Sequence, residues 1–240
     1  MAAPSPVAEV IARLEALLEP LGRSDGVACF GRLYLAVTDG VYAQLGELGA
    51  ADPHFIERLD VHFADLFFAA AAAGPAALPR AWAPLFEARG RRGIAPLQFA
   101  LAGMNAHINR DLPVALVTTC RELGVSLAQG SSQHADFERV NPLLAAVEAK
   151  VKAEYLSGPL RMLDRLVHRV HRIDDVVAMW DVARARDAAW TNGEALWALR
   201  DDADLSAQYL AALDRMIGFA GRGLLVPADT WLARIGRALG

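Results

Sequence analysis

The 240-residue chain holds two cysteines, Cys29 and Cys120, with neither a CxxC pair nor metal-ligand spacing. Thiolate metal clusters and CxxC redox chemistry are thereby excluded. Both thiols are expected to be unpaired, small buried side chains of a cytoplasmic, reducing compartment. No basic block stands out, the net charge is −4 and the pI is about 5.9. A nucleic-acid partner therefore has no electrostatic footprint. Long hydrophobic runs are also missing. "LFFAAAAAGPAALP" (66–79) is interrupted by Gly74, Pro75 and Pro79, well short of the roughly 20 apolar residues of a membrane span. "MAAPSPVAEV" lacks the charged and apolar regions of a secretory leader. There is no phosphate-binding glycine loop, GxSxG elbow, HExxH pair or dinucleotide fingerprint. Asp174–Asp175 and Asp201–Asp202 lack the downstream residues that prenyl-diphosphate chemistry would need.

What the chain does have is helical periodicity. Hydrophobic residues make up 54% and charged residues 22%, enough for a core and against disorder. Residues 6–19 place Val7, Val10, Ile11, Leu14, Leu17 and Leu18 on one stripe. The pattern predicts further helices over 28–47, and over 53–73 with Asp52 as cap and Pro53 at the first position. A short helix around Trp82–Ala88 follows, then a long one over 96–123 with Pro113 inside it. "QGSSQHA" is expected to be loop, and Asn141–Pro142 restarts a helix. Another helix begins at "SGPLRML" and runs to about Leu199, with a break near Asn192–Gly193, and a last one covers 204–220. The tail "PADTWLARIGRAL" is amphipathic and expected to pack on the core rather than on a membrane. No β-branched alternation is long enough for a sheet. The expectation is one all-α domain over 1–240, a bundle of roughly eight helices around a buried central helix.

The central helix carries "LAGMNAHINRDLPVAL", in which an apolar run contains Asn105, His107, Asn109, Arg110 and Asp111. On a wheel of 100° per residue, His107 and Asp111 fall together, beside Met104. Gln98, Asn105 and Asn109 fall opposite, beside Leu112 and Leu116. Two polar stripes on one helix point to burial, where an ionised Asp needs a partner. The His-x3-Asp spacing suits three roles equally: a metal pair, a carboxylate-oriented acid/base imidazole, or a structural tie between helices. The residues alone do not choose.

Partners are sought elsewhere. Asp60 shares the inward face of its helix with Leu59, Phe63 and Phe67, while His62 lies on another side. Asp136 follows a loop near a helix start, where it is a ligand candidate or a plain cap, and Asn141 is first a cap. Arg186 and Trp190, four apart, are expected to stack, with Arg186 also a counter-ion for an inward carboxylate. "DRLVHRVHRIDD" sets His168, His171 and Asp175 at ligand spacing, but interleaved arginines and aspartates favour a solvated, salt-bridged face.

With its flanks "LDVHFADLFF", "AW", "DFERVNPLL" and "RDAAW", the "GMNAHINRDL" block resembles the DUF5995 family, mostly bacterial, from about Tyr34 to Trp190. The resemblance implies a helical domain and carries over no activity. The family pattern contains residues matching Asp60, Asn105, His107, Asn109, Asp111, Asp136, Asn141, Arg186 and Trp190, which overlap the inward polar set. The Ala/Arg-rich composition fits a bacterial source. The leading expectation is an enzyme on a small organic molecule, with His107, Asp111, Asp60 and Asp136 as ligands of a divalent metal (Fe, Mn, Zn or Mg). The alternatives are a metal-free His107–Asp111 acid/base enzyme, with Asn105, Asn109 and Arg186 assisting, and a helical protein whose polar network is structural.

Overall fold

The structure, a computed structural model, describes residues 5–147, 149 and 181–227. The described chain is helical throughout, without strands. Six of the helices begin where the sequence supplies a capping side chain. In α1 (Pro6–Leu18), the Ser5 side chain accepts from Val7 N, and Val7, Val10, Leu14 and Leu18 are buried at helical spacing. Helix α2 (Gly26–Gln44) is capped by Asp25, which accepts from the amides of Val27 and Ala28 and pairs with Arg89. The helix starts two residues before the expected position, and a 3₁₀ turn (Leu45–Glu47) follows. Asp52 and Pro53 start α3 (Pro53–Ala72) as the sequence requires. The short α4 (Ala83–Ala88) leads to the central rod.

That rod is α5 (Pro96–Ala106), a π-turn (His107–Asp111) and α6 (Leu112–Leu123), ended by Gly124 at φ +65°. Helix α7 (Ser132–Arg139) is capped by Ser131 and takes in part of the stretch expected to be loop. Residues 141–147 are helical. Helix α8 (Val182–Ala198) runs without a break through Asn192–Gly193. Its Gly193 lies against Leu127 and Leu116, where a Cβ would stand 3.1 Å from Leu127, so packing rather than a turn explains the glycine. Helix α9 (Ala203–Leu224), capped by Asp202, is longer than expected. The 168–175 histidine cluster and the tail beyond Pro227 lie outside the described residues.

The rod is the hub. Helices α2 and α9 pack on α5, and α3 and α8 pack on α6, while α1 spans α2 and α3. Close approach is built from glycine: a Cβ on Gly103 would stand 2.3 Å from the Phe30 ring, and one on Gly218 would stand 2.4 Å from the Arg80 carbonyl oxygen. One apolar cluster runs from Val10 to Leu225 and buries Phe30, Phe55, Phe67, Trp82, Phe137 and Trp190, each contributing about 1.5–3 kcal/mol of transfer free energy. Cys29 and Cys120 are both buried and unpaired. Among the described residues no helix is long and apolar enough to cross a membrane.

Candidate functional site

Proline explains the π-turn. Pro113 has no N–H, and its ring clashes with the carbonyl four residues back. The chain answers with a wider turn, in which Leu112 N bonds to the His107 carbonyl oxygen, five residues back. The extra residue shifts the phase of the helix. Leu112, placed with the asparagines on a uniform wheel, instead lines a cavity with Met104, His107 and Ile108.

Within that turn Asp111 is completely buried. Its Oδ2 accepts from Trp82 Nε1 at 2.9 Å and meets His107 Nδ1 at 3.0 Å, while Oδ1 accepts from Arg110 at 2.8 Å. The ion pair with Arg110 supplies the charge that burial demands. Arg110 lies in turn 3.7 Å from Asp214, whose carboxylate accepts from the amides of Arg80 and Ala81 beside Trp82. Helix α9, the turn before α4 and the π-turn are thus tied together.

This network sets the histidine tautomer. Asp111 accepts from two fixed donors and offers His107 an acceptor, so Nδ1 carries the proton. Nε2 then holds a lone pair. It is buried and has no hydrogen-bond partner among the described residues. The ring is locked by aromatics: Phe63 stacks on it at 3.5 Å, and Tyr34 and Phe30 meet it edge-on at 4.6 and 5.6 Å. Burial lowers the His107 pKa below its usual value, against the opposing pull of Asp111. The imidazole is therefore neutral at pH 7.

His107 lines a cavity of about 100 Å³ between α1, α2, α3, the rod, α7 and α8, several times the space one water centre needs. Seven side-chain atoms of the described residues are buried without a partner. Four of them belong to residues lining this cavity: His107 Nε2, Asp60 Oδ2, Tyr34 Oη and Thr38 Oγ1. An unpartnered buried polar group costs about 1–3 kcal/mol, and four of the seven fall on residues around this one cavity. Asp60 is partly buried, and desolvation pushes its carboxyl up to about 7. Burial, with Asp60 next in effect, holds the Tyr34 hydroxyl well above the usual range, as a protonated donor.

The remaining candidates are placed elsewhere. Asp136 accepts from Ala51 N and Asp52 N at 2.8 and 2.7 Å. It clamps the approach to α3 and does not line the cavity, so the expected four-residue metal set is not assembled. No group of three or more His, Cys, Asp or Glu among the described residues is placed to hold a metal. Asn105 donates to the Ile217 carbonyl at 3.0 Å and accepts from Asn109 at 3.3 Å, and Gln98 donates to the carbonyls of Leu224 and Val226. That stripe fastens α9, on the side away from His107. Arg186 does not stack on Trp190; its guanidinium lies 3.8 Å over Phe137. Its acceptors are neutral, Asn141 Oδ1 at 2.7 Å and the Phe137 carbonyl at 2.6 Å, not an inward carboxylate. It lines the cavity. His62 sits near the surface with Arg58 and Glu122.

Two of the four cavity residues with unpartnered atoms, Tyr34 and Thr38, are not singled out by the sequence. They are four apart on α2, beside Val37 and Val41 of the same lining, so a wheel of α2 would have shown them together.

The fold and the site define an all-α protein with a largely apolar cavity, carrying a few polar side chains, at a π-turn in its central helix. The profile of the family described as "Family of unknown function (DUF5995)" matches residues 7–227, and the chain belongs to that family. No curated protein and no solved structure matches it.

Proposed function

We propose that this protein is a metal-free acid/base enzyme acting on a small organic molecule held in the cavity. One observation carries the reading: His107 lines the cavity, and its Nδ1 is held by Asp111 while its buried Nε2 has no partner among the described residues. His107 is the general base. Asp111 is a positioning residue that fixes the tautomer and balances the imidazolium that forms. Asp60, raised to about 7, is the acid that returns a proton, and Tyr34 and Thr38 donate hydrogen bonds to the bound molecule. Paired but unlike environments that split two titratable groups are the usual basis of such roles. The unpaired buried cysteines suit a bacterial cytoplasm.

A structural reading draws on Asp111, whose partners form a complete network, but it leaves the four unpartnered atoms without a purpose. The separating experiment incubates purified protein with a bacterial small-molecule extract in D₂O and follows consumption and deuterium uptake by mass spectrometry. Wild type is expected to convert or exchange at least one compound, and folded His107→Gln to lose this by about 10²-fold or more. Conversion unchanged in His107→Gln, or no conversion by wild type across extracts, contradicts the reading.

A further inference from the structure

We infer that the cavity takes a small monocarboxylic acid with an apolar body, its carboxylate paired with Arg186. The inference deepens the proposed function by naming the ligand class of the same cavity.

Arg186 is 8% exposed, yet among the described residues its two hydrogen-bond acceptors are an amide oxygen and a backbone carbonyl. Its stacking on Phe137 fixes the plane of the guanidinium fork. Burial lowers its pKa to about 9, against the pull of the exposed neighbour Asp187, so the group stays charged at neutral pH. A buried cation with only neutral partners is costly, and an anion in reach of the remaining N–H groups offsets that cost. The planar fork matches a carboxylate in particular.

The rest of the lining sets the body of the ligand. Val37, Val41, Ile56, Leu59, Val140 and Leu144 make most of the wall apolar. Tyr34 and Thr38 add two neighbouring hydroxyl side chains to the same wall, suited to a ligand oxygen. The Arg186 charge disfavours an amine, and one guanidinium fork matches one negative charge rather than two. The volume of about 100 Å³ limits the size.

The test is calorimetric titration of the full-length protein with alkyl and aryl monocarboxylates of about four to eight carbons, their primary amides and the matching amines. Wild type is expected to bind one or more carboxylates at least about tenfold more tightly than the isosteric amide. Folded Arg186→Gln is expected to abolish that preference while still binding the amide. Where Arg186→Gln fails to fold, Arg186→Lys serves, keeping the charge without the fork and narrowing the preference. Amides or amines bound as tightly as the acid by wild type, no carboxylate bound at all, or a preference undiminished in a folded Arg186 variant overturns the inference. A carboxylate bound selectively but never converted overturns the catalytic reading alone. An amide converted without preference for the acid overturns this one alone.

Discussion

At the residue scale, the arrangement turns on two groups whose surroundings push them in opposite directions. Burial lowers His107, the proposed base, below its unfolded value and raises Asp60, the proposed acid, to about 7. The consequences for stability follow by linkage. A lowered histidine costs stability as pH falls below about 6.5, because the unfolded chain takes up the proton first. A raised carboxyl has its full stability below about pH 4 and loses it as pH rises through about 7. Asp60→Asn is therefore expected to melt higher than wild type at pH 8, by about 1–3 kcal/mol, and to converge with it near pH 4; thermal melts across pH decide. Converted substrate should show a bell-shaped rate, with an acid limb below 6.5 from His107 and an alkaline limb near 7 from Asp60. In Asp60→Asn the alkaline limb disappears from the profile. Asp111→Asn removes the charge behind the histidine and is expected to cut the rate by 10²-fold or more. It also moves the acid limb, which a merely structural residue would leave in place.

At the scale of elements, the π-turn is the device that matters. Pro113→Ala restores a backbone donor and removes the ring clash. The turn is then expected to relax toward a regular α-helix and rotate His107 relative to Leu112. The melting temperature should hold or rise by a few degrees, while ligand affinity falls at least tenfold; unchanged affinity would show that the π-turn has no part in binding. Asp136 belongs to this scale as well, because it organises a helix start rather than a site. Asp136→Ala is expected to cost about 2–4 kcal/mol in denaturant melts, by stranding two amides, with affinity within about twofold. The sequence showed the helices because apolar spacing and the Asp52–Pro53 start are local signals. It showed that Pro113 must disturb the rod, but a wheel of constant pitch hid the phase shift that brings Leu112 to the cavity. Asp136 was ambiguous because a capping carboxylate and a ligand carboxylate look alike until the amides of Ala51 and Asp52 are seen on it.

At the scale of the whole molecule, the proposed function makes the cavity a trade of stability for binding. Its unpartnered hydroxyl at Thr38 is a direct measure: Thr38→Val keeps the shape, removes the orphan group and is expected to raise stability by about 1 kcal/mol while weakening ligand binding. The inward polar set was legible from "MNAHINRDL", and so was its division into two sides. Which side faced a cavity was not, because that depends on α2, α3 and α8 converging from distant parts of the chain. Tyr34, Thr38 and Arg186 meet Asp60 and His107 through packing alone.

The most direct test of the central claim is the ring ¹⁵N spectrum of His107, assigned by its loss in His107→Gln and followed over pH. The account requires a neutral ring at pH 7, with Nδ1 protonated and Nε2 bare, titrating below 6.5. In Asp111→Asn the tautomer preference should weaken. A ring protonated on Nε2 at pH 7, singly or doubly, would contradict it, because the cavity would then face a donor and not a base.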